Sequence, residues 1–230
     1  MRSFSKPFLL ALIALAAAVP PAFGGFLANG GINQSTPNLP PSTGGYVSPA
    51  DVHACYALIG LGNPLCLVQG DHSFFTNPHY DVVPGTSNGL DQFGSTFTGM
   101  ATGAFLGTNV MPLTLSGPVQ VEIFNRPSNN MTGTFDTEML QLDLSGGPGI
   151  MIRESPTLAS TGMTKITDNG NGTFHIDSFF DIFTELSLDG GATWTPSTAP
   201  THVDLVTPEP ATFGILGLGS LALVIFRRRR

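Results

Sequence analysis

Residues 172–197 read GTFHIDSFFDIFTELSLDGGATWTPS, and the spacing inside them decides the fold class. Phe180, Ile182, Thr184, Leu186 and Leu188 recur at every second position, with Asp181, Phe183, Glu185 and Ser187 between them. Successive side chains of an extended chain point to opposite sides, so this is the period of a strand with one buried face. A helix would place its apolar residues three and four apart. Asp189-Gly190-Gly191 then supplies residues that tolerate positive φ, which predicts a tight hairpin, and Thr193-Trp194 begins the return strand.

The same reading extends outward. In VQVEIFN (119–125), Val119, Val121 and Ile123 alternate with Gln120, Glu122 and Phe124. In FDTEMLQLDLSGG (135–147), Met139 and Gln141 oppose Leu140, Leu142 and Leu144. Short strands punctuated by Gly, Pro and Asn predict a mainly β protein, an antiparallel β-sandwich or jelly-roll-like domain over residues 51–206. No strand–helix–strand alternation supports a parallel sheet. One short helix is expected near the domain's start. Ser48-Pro49 suits its N-cap and first turn, and Val52, Cys55, Leu58 and Ile59 fall at helical spacing. Residues 25–50 are rich in Gly and Pro, carry no charge and show neither period, so they read as a flexible leader.

Both ends of the chain stand apart from this body. Arg2 and Lys6, then the apolar run Phe8–Val19, then Ala22 and Gly24 before a cut, make residues 1–24 a secretory signal peptide, helical in its apolar part. Six of the nine basic residues lie in the two ends, whereas all sixteen acidic ones lie between Asp51 and Glu209. Residues 25–210 therefore hold three basic against sixteen acidic side chains, a net charge of −13. Such a surface repels phosphate backbones, which excludes nucleic acid as a partner. Cys55 and Cys66 are an even count in an exported stretch, which reads as a disulfide, with free buried thiols as the alternative. Loop entropy gives such a short closure roughly 3 kcal/mol.

Few strings in the body carry chemistry. GTSNG (85–89) matches the spacing of a nucleophile elbow around Ser87, but no strand-to-helix turn surrounds it, so it reads as a turn. Asp71, His72, His79 and Asp81 are metal-ligand types without a metal-site spacing. DNGNG (168–172) lacks the side-chain oxygens and the closing Glu of a calcium loop. No metal and no cofactor is expected. Trp194 beside the hairpin suits packing better than stacking on a sugar.

The C-terminus is the sharpest signal. TPEPATFGILGLGSLALVIFRRRR (207–230) joins an extended Pro-Glu-Pro triplet to an apolar run, Phe213 to Phe226, and then to Arg227, Arg228, Arg229 and Arg230. Fourteen residues span about 21 Å as a helix, short of a hydrocarbon core of about 30 Å, and the terminal arginines can snorkel. Their charge keeps that end cytoplasmic and the body outside. This tail resembles the sorting signal of the PEP-CTERM family. The match covers 207–230, and the body resembles a β-rich segment that recurs in such exported proteins without a known activity. The resemblance implies that exosortase, a membrane-embedded enzyme, recognises Pro208, Glu209 and Pro210 and removes the tail. It also implies transient residence in the inner membrane of a Gram-negative bacterium, then the cell surface or an exopolysaccharide-rich biofilm matrix.

Together these readings give a non-enzymatic exported protein, with exosortase, the inner membrane and exopolysaccharide as partners. The alternative is an extracellular carbohydrate-binding or carbohydrate-active β-sandwich. In that reading Asp177 with Asp181, or Glu138 with Asp143, would serve as acid and base about 5 or 9 Å apart.

Overall fold

The computed structural model describes residues 25–27, 30–50, 52–58, 63–103, 110–147 and 149–207. The expected signal peptide (1–24) and the expected membrane-spanning helix fall outside them, as do the Pro-Glu-Pro triplet and the terminal arginines. Among the described residues, thirteen strands form one sheet. In chain order they are β1 (Ile32–Gln34), β2 (Gly45–Val47), β3 (Val52–Tyr56), β4 (Leu65–Val82), β5 (Gly89–Thr102), β6 (Met111–Ile123), β7 (Gly133–Gly146), β8 (Ile150–Glu154), β9 (Ser160–Asp168), β10 (Phe174–Ile182), β11 (Thr184–Ser187), β12 (Thr195–Pro196) and β13 (Thr201–Val206).

The sheet closes on itself, so the mainly β reading holds and the sandwich does not. Following the ladders from β10 through β13, β2, β4, β5, β6, β7 and β9 returns to β10, an antiparallel barrel of eight strands. β4 to β7 run its whole height. The other four positions are each built from two consecutive segments, β2 with β3, β8 with β9, β10 with β11, and β12 with β13. Neighbours in space are neighbours in sequence, and the first position meets the last where Gly45, Tyr46 and Val47 pair with Val206, Leu205 and Asp204. At the opposite rim Tyr56 bridges Ser197 across the same seam.

Two expectations near the start of the body fail here. The stretch 25–50 is not a leader. Its described part from residue 30 onward buries Ile32 and Leu39 and contributes β1 and the closing strand β2. Residues 52–56 form a strand rather than a helix, because Cys55 pairs with Cys66 on β4 and the two join in a disulfide. The helical spacing was coincidental: Ala54 and Tyr56 face the core at period two.

Inside, Leu67, Phe97, Leu115, Leu144, Phe180 and Leu205 come from six different strands and are all almost fully buried. An eight-strand barrel is just wide enough for side chains to fill. The interior cavities are about 20 Å³ or less, room for a single water. The alternation read over 180–186 is the inward face, whereas Leu188 lies past the strand's end and is exposed. In β7 the register shifts between Gln120 and Val121 of the partner strand, so Met139 and Leu142 both point inward and Leu140 points out.

One rim is stoppered by the chain between β1 and β2. Leu39, Pro40 and Pro41 enter the barrel end beside Asp91, Phe93 and Thr137. Side chains satisfy the plug's backbone. The Gln34 amide donates to the carbonyls of Thr36 and Asn38, and Asn129 both accepts from and donates to the backbone of Leu39. Behind them lies Arg126, fully buried, which donates to the carbonyls of Pro37, Asn129 and Met131 and to Asn129 Oδ1. Its guanidinium rests over the rings of Tyr80 and Phe135 at 5.3 and 5.6 Å. Removing it would leave several buried carbonyls without donors. Arg126→Ala is therefore expected to destabilise the barrel by on the order of 3 kcal/mol or more. Arg126→Lys should recover little, because an ammonium cannot reach the same fork of acceptors. Denaturant midpoints check both, and a wild-type midpoint for either would remove Arg126 as the anchor of the plug.

Buried titratable groups set the pH response. Burial pushes the Asp91 carboxyl up to about 8, outweighing the pull of Arg126. Between 3.8 and about 8 the folded state keeps a proton that the unfolded chain releases, so this group's contribution to stability falls as pH rises. Burial pushes the His53 imidazole the other way, down to about 4. Between about 4 and 6.5 the unfolded chain takes up a proton that the folded state refuses, so stability falls as pH falls. Asp91→Asn should remove the alkaline loss. Its melting temperature relative to wild type is expected to rise from pH 5.5 to pH 8.5, and a pH-independent difference would show that Asp91 is ionised inside the barrel.

Candidate functional site

The last described residue before the expected sorting triplet is Thr207, and the described structure shows what surrounds that exit. β13 is held on one side by β10 and on the other by β2, and the Gly31 amide donates to Leu205 O at 2.7 Å. A surface groove of about 1000 Å³ runs from Val206 and Thr207 across Gly44, Gly45 and Val47 to Asp71 and the stretch 73–76 of β4. Asp71 Oδ1 is buried there without a hydrogen-bond partner, and burial raises its carboxyl above the usual range.

The groove exists because β4 is bulged. It loses register with β5 between Val68 and Asp71, between Ser73 and Thr76, and between Thr76 and His79. Each shift contains a non-glycine residue with positive φ: Gln69 at 53°, Phe74 at 55° and Asn77 at 49°. An extra residue in one strand bends it and sharpens its twist. Beyond its pairing with β2 at Asp71 and His72, β4 has a partner on only one side, β5.

The four ligand types picked out on this strand do not converge. His72 turns inward and meets His53, with Nε2 atoms 3.3 Å apart against the ring of Phe97. Burial, and then the neighbouring imidazole, hold His72 well below its ordinary pKa. His79 pairs instead with Asp81 at 2.8 Å on the exposed end of the strand. Among the described residues, no group of three His, Cys, Asp or Glu could hold a metal ion.

The strings around Ser87 and at 168–172 both lie in turns. Ser87 lies in the β4–β5 hairpin, where Thr86 donates to Val83 O. Residues 168–172 are a turn in which Asp168 accepts from the Gly170 amide. The Asp-Gly-Gly turn has φ of 73° at Gly190 and 91° at Gly191, and Asp189 accepts from Thr193. Trp194 donates its Nε1 proton to Gly191 O, and its ring is covered by the Arg153 guanidinium at 4.0 Å.

The carboxylate pairs meet different fates. Asp177 and Asp181 each take their own histidine: His175 at 3.1 Å, and His202 at 2.7 Å. His202 also reaches Asp204 at 3.2 Å. Glu138 and Asp143, five apart, would sit on opposite faces of a regular strand, but the shift in β7 between them restores a common face. Their charges, with that of Glu185, act on Glu154, whose carboxyl is pushed to about 7 by partial burial first and by these neighbours second. Ser160 donates to Glu154, while Arg153 grips Glu185 through Nε and Nη2. Sequence reasoning missed Glu154, Arg126 and Phe74. Phe74 lies in a bulge, which leaves no period in the sequence, and the partners of Glu154 and Arg126 are brought together only by the ladders and the plug.

No curated protein and no solved structure matches the chain. The stretch that begins at Val206, where the last strand ends, does find a match: residues 206–230 fit the family model described as the PEP-CTERM protein-sorting motif, so the chain carries that motif, which supports its sorting as an exported substrate of exosortase.

Proposed function

We propose that this is a non-enzymatic exported protein whose closed barrel is displayed at the cell surface or in an exopolysaccharide matrix once exosortase has removed its tail. The observation that carries this reading is the position of the sorting motif, whose match starts as the barrel's last strand ends. Pro208, Glu209 and Pro210 then follow the fold directly. Prolines flanking a glutamate favour extended backbone, the form a protease cleft accepts. Phe213 to Phe226 act as a short membrane span, and Arg227 to Arg230 hold its cytoplasmic end. The filled interior supports a displayed body rather than a carrier of small molecules. The acidic outer surface suits hydrated matrix, and the disulfide suits an oxidising compartment.

A carbohydrate-active reading draws on one observation, the Glu154 carboxyl near 7 among Glu138, Asp143 and Glu185. A general acid needs such a value. These carboxylates line none of the grooves and cavities described above, which favours the displayed body.

The sorting reading predicts separable effects. Changing Pro208, Glu209 and Pro210 to alanine should leave membrane insertion intact and stop processing, so that tail-bearing protein accumulates in the membrane. Changing Arg227 to Arg230 to serine should weaken retention, and tail-bearing protein should escape. Intact mass of the mature protein from wild-type cells decides the matter, because a mass that still includes Arg230 leaves a plain anchor in place of sorting.

A further inference from the structure

Phe74 departs from expectation twice. Among the described residues it is the most exposed large apolar side chain, at 73 %. Its φ of 55° is a conformation that bulky L-residues rarely adopt, and one that strands normally avoid. Scattered exposed apolar residues are ordinary. One held outward by a left-handed backbone inside a bulge is not.

Its place in the fold suggests what it meets. Phe74, Phe75, Val47 and Val206 give the groove at Thr207 an apolar rim. Five residues, Pro208 to Thr212, separate Thr207 from the start of the apolar run at Phe213. Fully extended, they reach at most about 18 Å. With the run inserted, the exit groove is confined to the immediate neighbourhood of the bilayer surface.

We propose that Phe74 and the apolar rim around it dock on the lipid surface while the tail is in place. This rests on the reading of Phe213–Phe226 as membrane-inserted. Among the described residues, Asp71 is the only charged one lining the groove, and the body carries a large negative charge. The contact therefore works by insertion of apolar side chains among lipid, not by attraction to anionic headgroups. Alone it is too small to hold a free protein. The tether raises the local concentration of lipid, and the contact forms with it. It sets the tilt of the barrel over the point where the tail enters, and it is lost when the tail is cut.

The test uses the full chain reconstituted in phosphatidylcholine vesicles, with an environment-sensitive fluorophore on Phe74→Cys, the native cysteines being paired. A control label sits on Leu188→Cys, exposed just past the end of β11 and away from the groove. Nitroxide lipids labelled near the headgroup are expected to quench the probe at 74 several-fold more than the probe at 188. If Phe74→Cys fails to fold, Thr76→Cys on the same rim gives the same readout, and Phe74→Gly should abolish its quenching without lowering the melting temperature. Flotation separates the two readings. A chain that does not float with vesicles overturns the inserted tail. A chain that floats with equal quenching at 74 and 188 overturns the docking alone. A probe at 74 that responds only to added exosortase, or only to rising protein density at fixed lipid, assigns the rim to the enzyme or to a second copy and also overturns lipid docking.

Discussion

Three residues close this fold. Gly45, Tyr46 and Val47 hydrogen-bond to β13 on one side, and Tyr46 and Val47 pair with β4 on the other. A ring of purely antiparallel strands closes only with an even number, and this short strand makes the eighth. Without it, β4 and β13 would present open edges, the kind of surface that templates pairing with other chains. Gly45 suits the place physically. A Cβ there would stand 2.3 Å from Asp71 Oδ1 on β4, so β2 fits beside β4 without room for a side chain unless Asp71 moves.

Closure then dictates how polar groups are handled. The chain enters the ring only after crossing its mouth, and that crossing buries backbone that no sheet ladder can satisfy. Gln34, Asn129 and Arg126 supply the missing partners. Arg126 is one of three basic side chains in the body, and it sits inside, against carbonyls and rings rather than in a surface pair. Asp91 faces its charge from the barrel wall but is buried enough to stay protonated at neutral pH. The result is a buried cation satisfied mostly by neutral acceptors, an arrangement that depends on geometry more than on charge balance.

How much of this could be read in advance follows from the same physics. The strand at 174–187 was legible because its inward face alternates without interruption from Phe180 to Leu186. β7 was legible as a strand but not in its facing, since one shift of register moves Leu142 to the inside and Leu140 to the outside. β1, β2 and β3 were hidden. Strands of three to five residues are too short to show a period, and what holds β2 is pairing with residues far away in sequence. Barrel and sandwich share the same local pattern and differ only in whether the first position meets the last. Of the candidate sites, the sorting motif was plain because it is a linear signal. The grouping of Glu138 and Asp143 around Glu154 depends on a bulge and on strands brought together by the ladder, which no spacing records.

The pairing of residues 45–47 with 204–206 also imposes an order of events. A chain that emerges amino-terminus first can form the hairpins β4–β5, β5–β6 and β6–β7 as it appears, since each joins sequence neighbours. The plug segment and β2 must wait, unpaired at their far side, until Val206 has cleared the exit. The next residues to emerge are the triplet and the apolar run. A tail that halts there keeps the still-open barrel at the membrane for the interval in which its last strand seats itself. If the tail is held at the membrane as proposed, retention at that point would act as a folding delay, and a cut that ended it would release a barrel with no free edge along its seam.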